Sequence, residues 1–302
     1  MGLGEAKEQF GKVGVLMGGP SSEREISLKS GQAVYAALCG LGIKAVAIDI
    51  KTDNKNDAGS LVRSHDIDCA FIALHGRFGE DGQIQEVLDS LGTPYTGSGI
   101  QASRLAMDKV VSREIFSRAG LFIPGYQELR KDSYGSGFRP APGLKMPLVV
   151  KPATHGSSIG LSIIDKEPGL ARAIESAFQF DDRIVIEEFI EGRELTVGIL
   201  GQEALPAIEI VPKKRLFDYE AKYTPGLTEY IVPAKLEADI SVRIKDTAFL
   251  AHKLLGCRGC SRVDLILNKN NLPYILEVNT IPGLTNTSLL PKAARIVGIE
   301  FG

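Results

Sequence analysis

The chain has 302 residues, of which 44% are hydrophobic and 24% are charged. These proportions are those of a folded globular protein, and they exclude a disordered chain and a collagen-like one. Lys and Arg total 35 against 37 Asp and Glu, which leaves a net charge of −2 and no basic footprint for nucleic acid. No apolar run approaches the ~20 residues of a membrane span, so we expect a cytoplasmic protein without a membrane partner. At roughly 150 residues per domain, the length predicts two or three domains.

The N-terminal third of the chain alternates short apolar runs with helical patterns. Residues 13–17 predict a buried strand, a helical pattern runs from Glu23 to Leu41, and further strand-length runs cover 45–50 and 69–74. Strands that alternate with helices favour a parallel sheet with ligands at the carboxyl ends of its strands. We therefore expect an N-terminal α/β domain over residues 1–106.

The remainder predicts two β-rich lobes, residues 107–189 and residues 190–302. The first lobe has predicted strands near residues 147–151, 159–164 and 184–188. Its one predicted helix lies near residues 168–178. The second lobe has strands near 195–200 and 205–211, a polar stretch from Lys213 to Pro233, a helix from Ala238 to Leu255 and a final hairpin.

That hairpin, from Arg262 to Asn279, is the most informative local motif. A two-residue turn at Asn270-Asn271 would place Asp264 opposite Glu277 and Arg262 opposite Asn279. Because strand side chains alternate, these four polar groups would share one face. The apolar positions would share the other face: Val263, Leu265, Leu276 and Val278.

Two directly opposed carboxylates repel unless a cation lies between them. Two acids and an amide, all oxygen ligands, suit Mg²⁺, which also takes phosphate oxygens. The hairpin therefore predicts a metal site at Asp264, Glu277 and Asn279. The alternative is a solvated polar face on which Arg262 neutralises the acids.

Two lysines are placed to meet phosphate. Lys151 closes a buried Leu-Val-Val run, where an ammonium is costly without an anionic partner, and Lys109 follows Met-Asp. Residues 153–160 form a glycine- and hydroxyl-rich loop whose amides could cradle phosphate. No Walker A sequence occurs, and the glycine-rich stretch 97–102 lacks the acidic residue of a dinucleotide fingerprint.

The segment from Ile186 to Glu194 alternates acids with apolar groups where the two lobes join. We assign Glu187 to an adenine, Phe189 and neighbouring Ile190 to the same base site, and Glu194 to a ribose. The alternative is an exposed acidic edge. With the two lysines, the small-residue loop and the acid pair, this segment predicts an ATP site of non-Walker type held between two lobes.

The chain resembles the D-alanine:D-alanine ligases, which have the ATP-grasp fold, from about Val13 to Gly298. Eight motifs carry the resemblance in order: Gly-Gly-Pro-Ser-Ser-Glu-Arg-Glu-Ile-Ser-Leu (18–28), Leu-His-Gly-Arg-Phe-Gly-Glu-Asp-Gly (74–82), Tyr-Thr-Gly-Ser-Gly (95–99), Met-Asp-Lys (107–109), Lys-Pro…Gly-Ser-Ser-Ile-Gly (151–160), Glu-Ala-Lys-Tyr (220–223), Ser-Arg-Val-Asp (261–264) and Glu-Val-Asn-Thr-Ile-Pro-Gly-Leu-Thr (277–285).

The resemblance implies an α/β protein of three domains, in which two lobes clasp ATP beside the N-terminal domain. It implies a homodimer that uses ATP with Mg²⁺ or Mn²⁺. One D-alanine carboxylate would attack the γ-phosphate of ATP, and the amine of a second D-alanine would displace the acyl phosphate. The product would feed peptidoglycan synthesis.

The resemblance also implies a role for each matching residue. Lys222, with Lys109 and Lys151, would contact phosphate, and Arg262 and the Gly283 amide would bind the developing oxyanion. The first D-alanine would meet Glu23, which Ser157 and Tyr223 support by hydrogen bonds, and His75 would orient it. The second D-alanine carboxylate would meet Ser288 and Leu289 at a helix start, where amides favour an anion.

Simpler interpretations exist for single residues: Glu23 as the start of a helix, His75 as a satisfied core histidine, Ser288 as a helix cap. Other functions also stay open at this point. They are another ATP-grasp carboxylate-amine ligase, a D-alanine:D-lactate ligase, a catalytically silent binding module and a dinucleotide-dependent oxidoreductase.

Overall fold

A computed structural model describes residues 10–135, 137–213 and 226–302. Its strands are β1 (Val13–Gly18), β2 (Ala45–Ile50), β3 (Cys69–Ile72), β4 (Tyr126–Arg130), β5 (Leu148–Pro152), β6 (Ser162–Ile164), β7 (Arg183–Glu188), β8 (Gly192–Leu200), β9 (Glu203–Ala204), β10 (Ile208–Pro212), β11 (Thr228–Ile231), β12 (Cys260–Asn268) and β13 (Pro273–Asn279). The α-helices, numbered within the described ranges, are α1 (Arg24–Gly40), α2 (Lys55–Ser64), α3 (Gln83–Ser90), α4 (Ile100–Met107), α5 (Lys109–Arg118), α6 (Leu170–Ala177), α7 (Ala238–Leu254) and α8 (Leu289–Ile296).

The first sheet is parallel, in the order β2-β1-β3, as the alternating pattern predicts. All six residues of β1 are buried, because helix α1 covers one face of the sheet while α2 and α3 cover the other. Glu23 and His75 follow the carboxyl ends of the paired strands β1 and β3. The topology therefore brings these two side chains to one edge of the sheet.

Helix α1 lies so close to β1 that a glycine is required at the contact. A Cβ at Gly31 would lie 2.4 Å from the Cβ of Met17, an atom that cannot move without the backbone. We expect Gly31→Ala to lower the free energy of unfolding by ~1–3 kcal/mol, as overpacking does, even though alanine gains ~1 kcal/mol in helix propensity. Urea denaturation measures this change.

The matched control is Gly40→Ala at the last position of the same helix, where an added Cβ meets no atom within 4 Å. That variant should be neutral or up to ~1 kcal/mol more stable, since only propensity changes. Equal effects of the two alanines would show that α1 does not pack on β1 as described.

The second and third sheets are antiparallel and form the two β-rich lobes. The central sheet has the order β4-β7-β5-β6 and is covered by α6. The C-terminal sheet has the order β11-β10-β8-β12-β13, with β9 on β8, and is covered by α7. Together with the parallel sheet, these two lobes confirm the predicted α/β fold class.

Helix α5 connects the two lobes by packing on both. Phe116 lies in the core under the C-terminal sheet, whereas Val110 packs against Ala153 and Val185 of the central sheet. A single helix of the first predicted lobe thus contributes to the cores of both lobes, on either side of the predicted boundary at residue 189. The boundaries at residues 106 and 189 stay a prediction. Within the described ranges, we find no helix with the length and apolar character that a membrane crossing requires.

Candidate active site

Two adjoining cavities lie where the three sheets meet. The inner cavity, about 620 Å³, lies between the carboxyl edge of the parallel sheet and the C-terminal sheet. The outer cavity, about 510 Å³, lies between the central and C-terminal sheets. Lys109 and Glu277 line both, and their Nζ and Oε2 atoms are 3.7 Å apart. The two cavities therefore meet at this ion pair.

Every predicted site residue in the described part of the chain lines one of these cavities. The inner cavity holds Glu23, His75, Ser157, Arg262, Asn279, Gly283, Ser288 and Leu289. The outer cavity holds Lys151, Glu187, Phe189, Ile190, Glu194 and Asp264. The predicted Lys222 and Tyr223 lie outside the described residues.

The predicted strand register at the acid pair is correct. Asp264 pairs with Glu277 and Arg262 pairs with Asn279. The predicted turn, however, is wrong: the loop spans residues 269–271, closed by a hydrogen bond from the Asn268 N–H to the Leu272 carbonyl. In such three-residue loops the last residue takes a left-handed conformation, as Asn271 does at φ +57°.

A bulge between the turn and the site restores the predicted register. Beyond Leu265, which pairs with Ile275, the pairing shifts by one residue, so Leu276 has no partner. A bulge re-aims a side chain, and Leu276 lines the outer cavity rather than the core face predicted for it. Val263, Leu265 and Val278 are buried in the core as expected.

The acid pair is balanced by protein cations. The Arg262 guanidinium donates to both oxygens of Asp264, at 2.9 and 2.8 Å, and Thr196 Oγ donates to Asp264 Oδ1 at 2.6 Å. Arg262 thus neutralises Asp264, as the alternative interpretation of the hairpin expects. The same arginine also lines the inner cavity.

The donor set at the acid pair fits a hard divalent cation. It offers two carboxylates and an amide oxygen on adjacent strands, which is the chemistry Mg²⁺ prefers. The Asn279 Oδ1 accepts one hydrogen bond, from the Ile281 N–H at 2.9 Å, and an amide oxygen keeps a second lone pair. Among the described residues, no group of three or more His, Cys, Asp or Glu side chains is placed to hold a metal ion, so this site depends on the amide.

A buried charge cluster forms one wall of the outer cavity. Lys151 Nζ lies 2.8 Å from Glu187 Oε1, and the Arg113 guanidinium pairs with the other oxygen of Glu187. Burial lowers the pKa of Lys151 to about 8, although the Glu187 charge opposes this shift. Burial also disfavours the Glu187 carboxylate, but the cations outweigh it and hold the pKa of Glu187 below its usual value.

Arg113, which is 1% exposed, is not among the site residues predicted from the sequence. Its spacing in the sequence could have identified it. Arg113 lies four residues after Lys109 on α5, so both side chains share one helix face. The sequence assigns the Glu187 carboxylate to an adenine, whereas the structure commits both of its oxygens to cations. Two cations around one buried carboxylate leave an excess positive charge that suits an anionic ligand.

In the inner cavity, Glu23 is bound to a distant loop. Ser157 Oγ donates to Glu23 Oε1 across 134 positions of sequence. Although Glu23 precedes α1, its side chain makes no capping hydrogen bond, so the helix-start interpretation does not account for its side chain. Ser157 has a left-handed backbone, at φ +53°, and this conformation points its hydroxyl to Glu23.

His75 is buried between two partners that sequence analysis does not identify. Its Nε2 lies 3.0 Å from Ser30 Oγ, and its Nδ1 lies 3.3 Å from Glu80 Oε1. Burial raises the pKa of Glu80, although His75 opposes the shift. The histidine is therefore satisfied on both nitrogens and also lines the cavity.

Ser288 stands just before α8 without capping it. Its hydroxyl instead accepts from the Thr285 N–H at 3.0 Å, and the helix receives no side-chain capping bond. A Cβ at Gly283 would lie 3.1 Å from Ser288 Oγ. A side chain at position 283 would therefore crowd the Ser288 hydroxyl.

A nucleotide-sized cavity between two antiparallel sheets, lined by lysines and an opposed acid pair, is the architecture of the ATP-grasp fold. The family models for the C-terminus and the N-terminus of D-ala D-ala ligase match residues 115–302 and 51–98. The chain belongs to the D-alanine:D-alanine ligase family.

Individual relatives and solved structures agree with this assignment. The chain is 49% identical to a D-alanine:D-alanine ligase from Geotalea uraniireducens, over 96% of this chain and 92% of the relative. A crystal structure of D-alanine:D-alanine ligase from Bacillus anthracis complexed with ATP has a TM-score of 0.83 and 34% identity, over 96% and 93% of the two chains. The VanG D-Ala:D-Ser ligase of Enterococcus faecalis has a TM-score of 0.81 and 28% identity, over 97% and 96%.

Proposed function

We propose that this chain joins two D-alanine molecules in an ATP-dependent, ADP-forming reaction that passes through D-alanyl phosphate. The observation that carries the proposal is the junction of two cavities at Lys109 and Glu277. A nucleotide in the outer cavity and an amino acid in the inner cavity would present the γ-phosphate and the carboxylate to each other there. The product, D-alanyl-D-alanine, serves peptidoglycan synthesis.

In the outer cavity, we assign charge neutralisation to Lys109 and to Lys151, which Glu187 positions. We assign the base and ribose contacts to Phe189, Ile190 and Glu194. Phosphoryl transfer depends mainly on positioning and charge neutralisation. Asp264, Glu277 and Asn279 would hold Mg²⁺ or Mn²⁺, which would neutralise phosphate charge when bound. Lys222 keeps its predicted role at the γ-phosphate.

In the inner cavity, we assign the ammonium of the first D-alanine to Glu23, held by Ser157, and its orientation to His75. Arg262 and the Gly283 amide would stabilise the oxyanion that forms when the second amine attacks. Ser288 and the Leu289 amide would bind the second carboxylate. Tyr223 keeps its predicted role in linking Ser157 to Glu23.

We also propose a cytoplasmic location, supported by the requirement for ATP. The homodimer implied by the family stays a prediction, and sedimentation equilibrium would test it.

The test of the proposed function is phosphate release from ATP with a panel of acceptors: D-alanine, D-serine and D-lactate, each with D-alanine as first substrate. We expect D-alanine to be used best and mass spectrometry to identify D-alanyl-D-alanine. A preference for D-serine would move the chain towards the specificity of the D-Ala:D-Ser ligase it resembles at 28% identity. No phosphate release with any acceptor would reject the proposal.

The pKa of Lys151 predicts how ATP affinity depends on pH. Anionic phosphate favours the charged lysine, and in the free protein this group loses its proton as the pH rises through about 8. We therefore expect ATP affinity to change little between pH 7 and this pH and to fall by up to about tenfold per pH unit above it, since one pKa unit is worth ~1.4 kcal/mol. Isothermal titration calorimetry without D-alanine measures the affinity.

Lys151→Met is the control for this pH dependence. It should bind ATP more weakly at pH 7 and should not reproduce the fall between pH 8 and pH 10. If the fall persists in Lys151→Met, another group carries it.

A further inference from the structure

The loop of residues 153–160 is the wall between the two cavities. Its residues His155, Ser158 and Ile159 line the outer cavity, whereas Gly156 and Ser157 line the inner one. Its placement therefore controls the shape of both ligand sites.

The backbone of this loop needs support from outside the loop. Ser157 and Ser158 are consecutive non-glycine residues in the left-handed region, at φ +53° and +58°. Such conformations cost ~1–3 kcal/mol each and persist only where the surroundings impose them. At its far end, the loop is held by the bond from Ser157 to Glu23.

Asp181, on the connection between α6 and β7, holds the near end of the loop. Its Oδ2 accepts from the Thr154 N–H at 2.8 Å and from Thr154 Oγ at 2.7 Å. Its Oδ1 accepts from the Arg183 N–H at 3.0 Å, and His155 Nδ1 lies 3.8 Å from Oδ2. The side chain of Asp181 is 9% exposed. One carboxylate thus joins the loop to the strand that carries Glu187.

This carboxylate is ionised when it makes these contacts. Burial disfavours its charge, but the nearby His155 ring and the hydrogen bonds from Thr154 and Arg183 outweigh burial and hold the pKa of Asp181 far below its usual value. Hydrogen bonds to an ionised acceptor are about twice as strong as neutral ones. Asp181 is not one of the described residues that line the inner and outer cavities.

We propose that Asp181 is a positioning residue that holds the loop of residues 153–160 in its nucleotide-binding conformation through Thr154, without itself touching the nucleotide. This inference rests on the proposed function, because the outer cavity is assigned to ATP.

The test compares Asp181→Ala with Asp182→Ala. The neighbouring Asp182 is the matched control, because its side chain is 86% exposed and its ion pair is with Lys131 at 3.5 Å. We expect Asp181→Ala to raise the KM for ATP by about tenfold, as expected for lost hydrogen bonds to a charged group. The kcat at saturating ATP and the KM for D-alanine should change less than threefold, because the bond from Ser157 to Glu23 still holds the part of the loop that faces the inner cavity. Asp182→Ala should match the parent in all three.

Substitutions at Thr154 provide a second readout that does not depend on Asp181→Ala folding. Thr154→Ser keeps both contacts with Asp181 and should retain the parent's KM for ATP, whereas Thr154→Val loses the hydroxyl bond and should raise it. A double-mutant cycle combines Thr154→Val with Asp181→Asn. The double variant should raise the KM for ATP by less than the product of the two single effects, since both act through one contact.

The proposal is overturned if Asp181→Ala and Asp182→Ala bind ATP equally well. It is also overturned if Thr154→Val behaves as Thr154→Ser, or if kcat and both KM values change together, as a general loss of structure would produce. Calorimetric titration with ATP alone distinguishes failure of this proposal from failure of the proposed function. Nucleotide affinity reports on the loop even if the parent protein does not ligate D-alanine.

Discussion

Glu277→Gln is expected to lower turnover by about 100-fold or more and to raise the Mg²⁺ concentration needed for half-maximal rate. Glu277 pairs with Asp264 across the hairpin and faces both cavities, 3.7 Å from Lys109. Removing its charge weakens the proposed metal site, and even changes to the outer partners of metal ligands cost ~10–100-fold. Initial rates of phosphate release over a Mg²⁺ titration measure both effects.

Glu229→Gln is the control for this substitution. Glu229 lies on β11 of the same sheet, where its side chain is exposed, so the same chemical change should leave rate and Mg²⁺ dependence unaltered. The folded state should survive Glu277→Gln, because glutamine has nearly the same size and Asp264 keeps its hydrogen bonds from Arg262 and Thr196. Near-normal turnover of Glu277→Gln at limiting Mg²⁺ would reject the metal site.

Arg262→Met is expected to lower turnover by about 100- to 1,000-fold, the usual range for loss of one group that stabilises an oxyanion. Arg262 lines the inner cavity and donates two hydrogen bonds to Asp264. Its removal also releases Asp264 from a cation that competes with Mg²⁺. The Mg²⁺ concentration needed for half-maximal rate should therefore stay constant or fall, whereas Glu277→Gln should raise it.

Arg262→Lys separates charge from geometry at this position. Lysine keeps the positive charge but lacks the planar fork that binds a carboxylate with two parallel bonds. We expect a rate between those of the parent and Arg262→Met. If Arg262→Met keeps the parent's rate at saturating Mg²⁺, the arginine serves only to neutralise Asp264, and the oxyanion assignment is wrong.

Most strands and helices of the fold are predictable from local pattern. The predicted strand at residues 45–50 coincides with β2, and the predicted helices begin and end within two residues of α1, α6 and α7. The pattern fails at β4 (Tyr126–Arg130), where only Leu129 is buried. These residues form a strand because they pair with β7, which is distant in sequence. With only one buried residue, the strand shows no alternation of apolar and polar side chains that could be detected from the sequence.

The predicted strand at residues 159–164 starts too early for a related reason. Gly160 still has a positive φ of +70°, and β6 begins only at Ser162. The residues before it belong to the loop that Asp181 and Glu23 hold at its two ends. Those tethers come from other parts of the chain, so apolar content alone could not locate the start of the strand.

The sequence by itself determined which chemical groups this protein can present. Strand alternation places Arg262, Asp264, Glu277 and Asn279 on one hairpin face, because side-chain direction along a strand has a period of two. The order of motifs determined the family. These properties depend on neighbours within one element, whose geometry the backbone dictates.

Only the tertiary structure decided which charges neutralise which. Lys151 and Arg113 share Glu187, Lys109 pairs with Glu277, and Ser157 reaches Glu23 across 134 positions. Coulomb interactions and hydrogen bonds act over a few ångströms in space, whatever the separation in sequence. The partners of a buried charge, and with them its pKa, therefore follow from the packing of the three sheets.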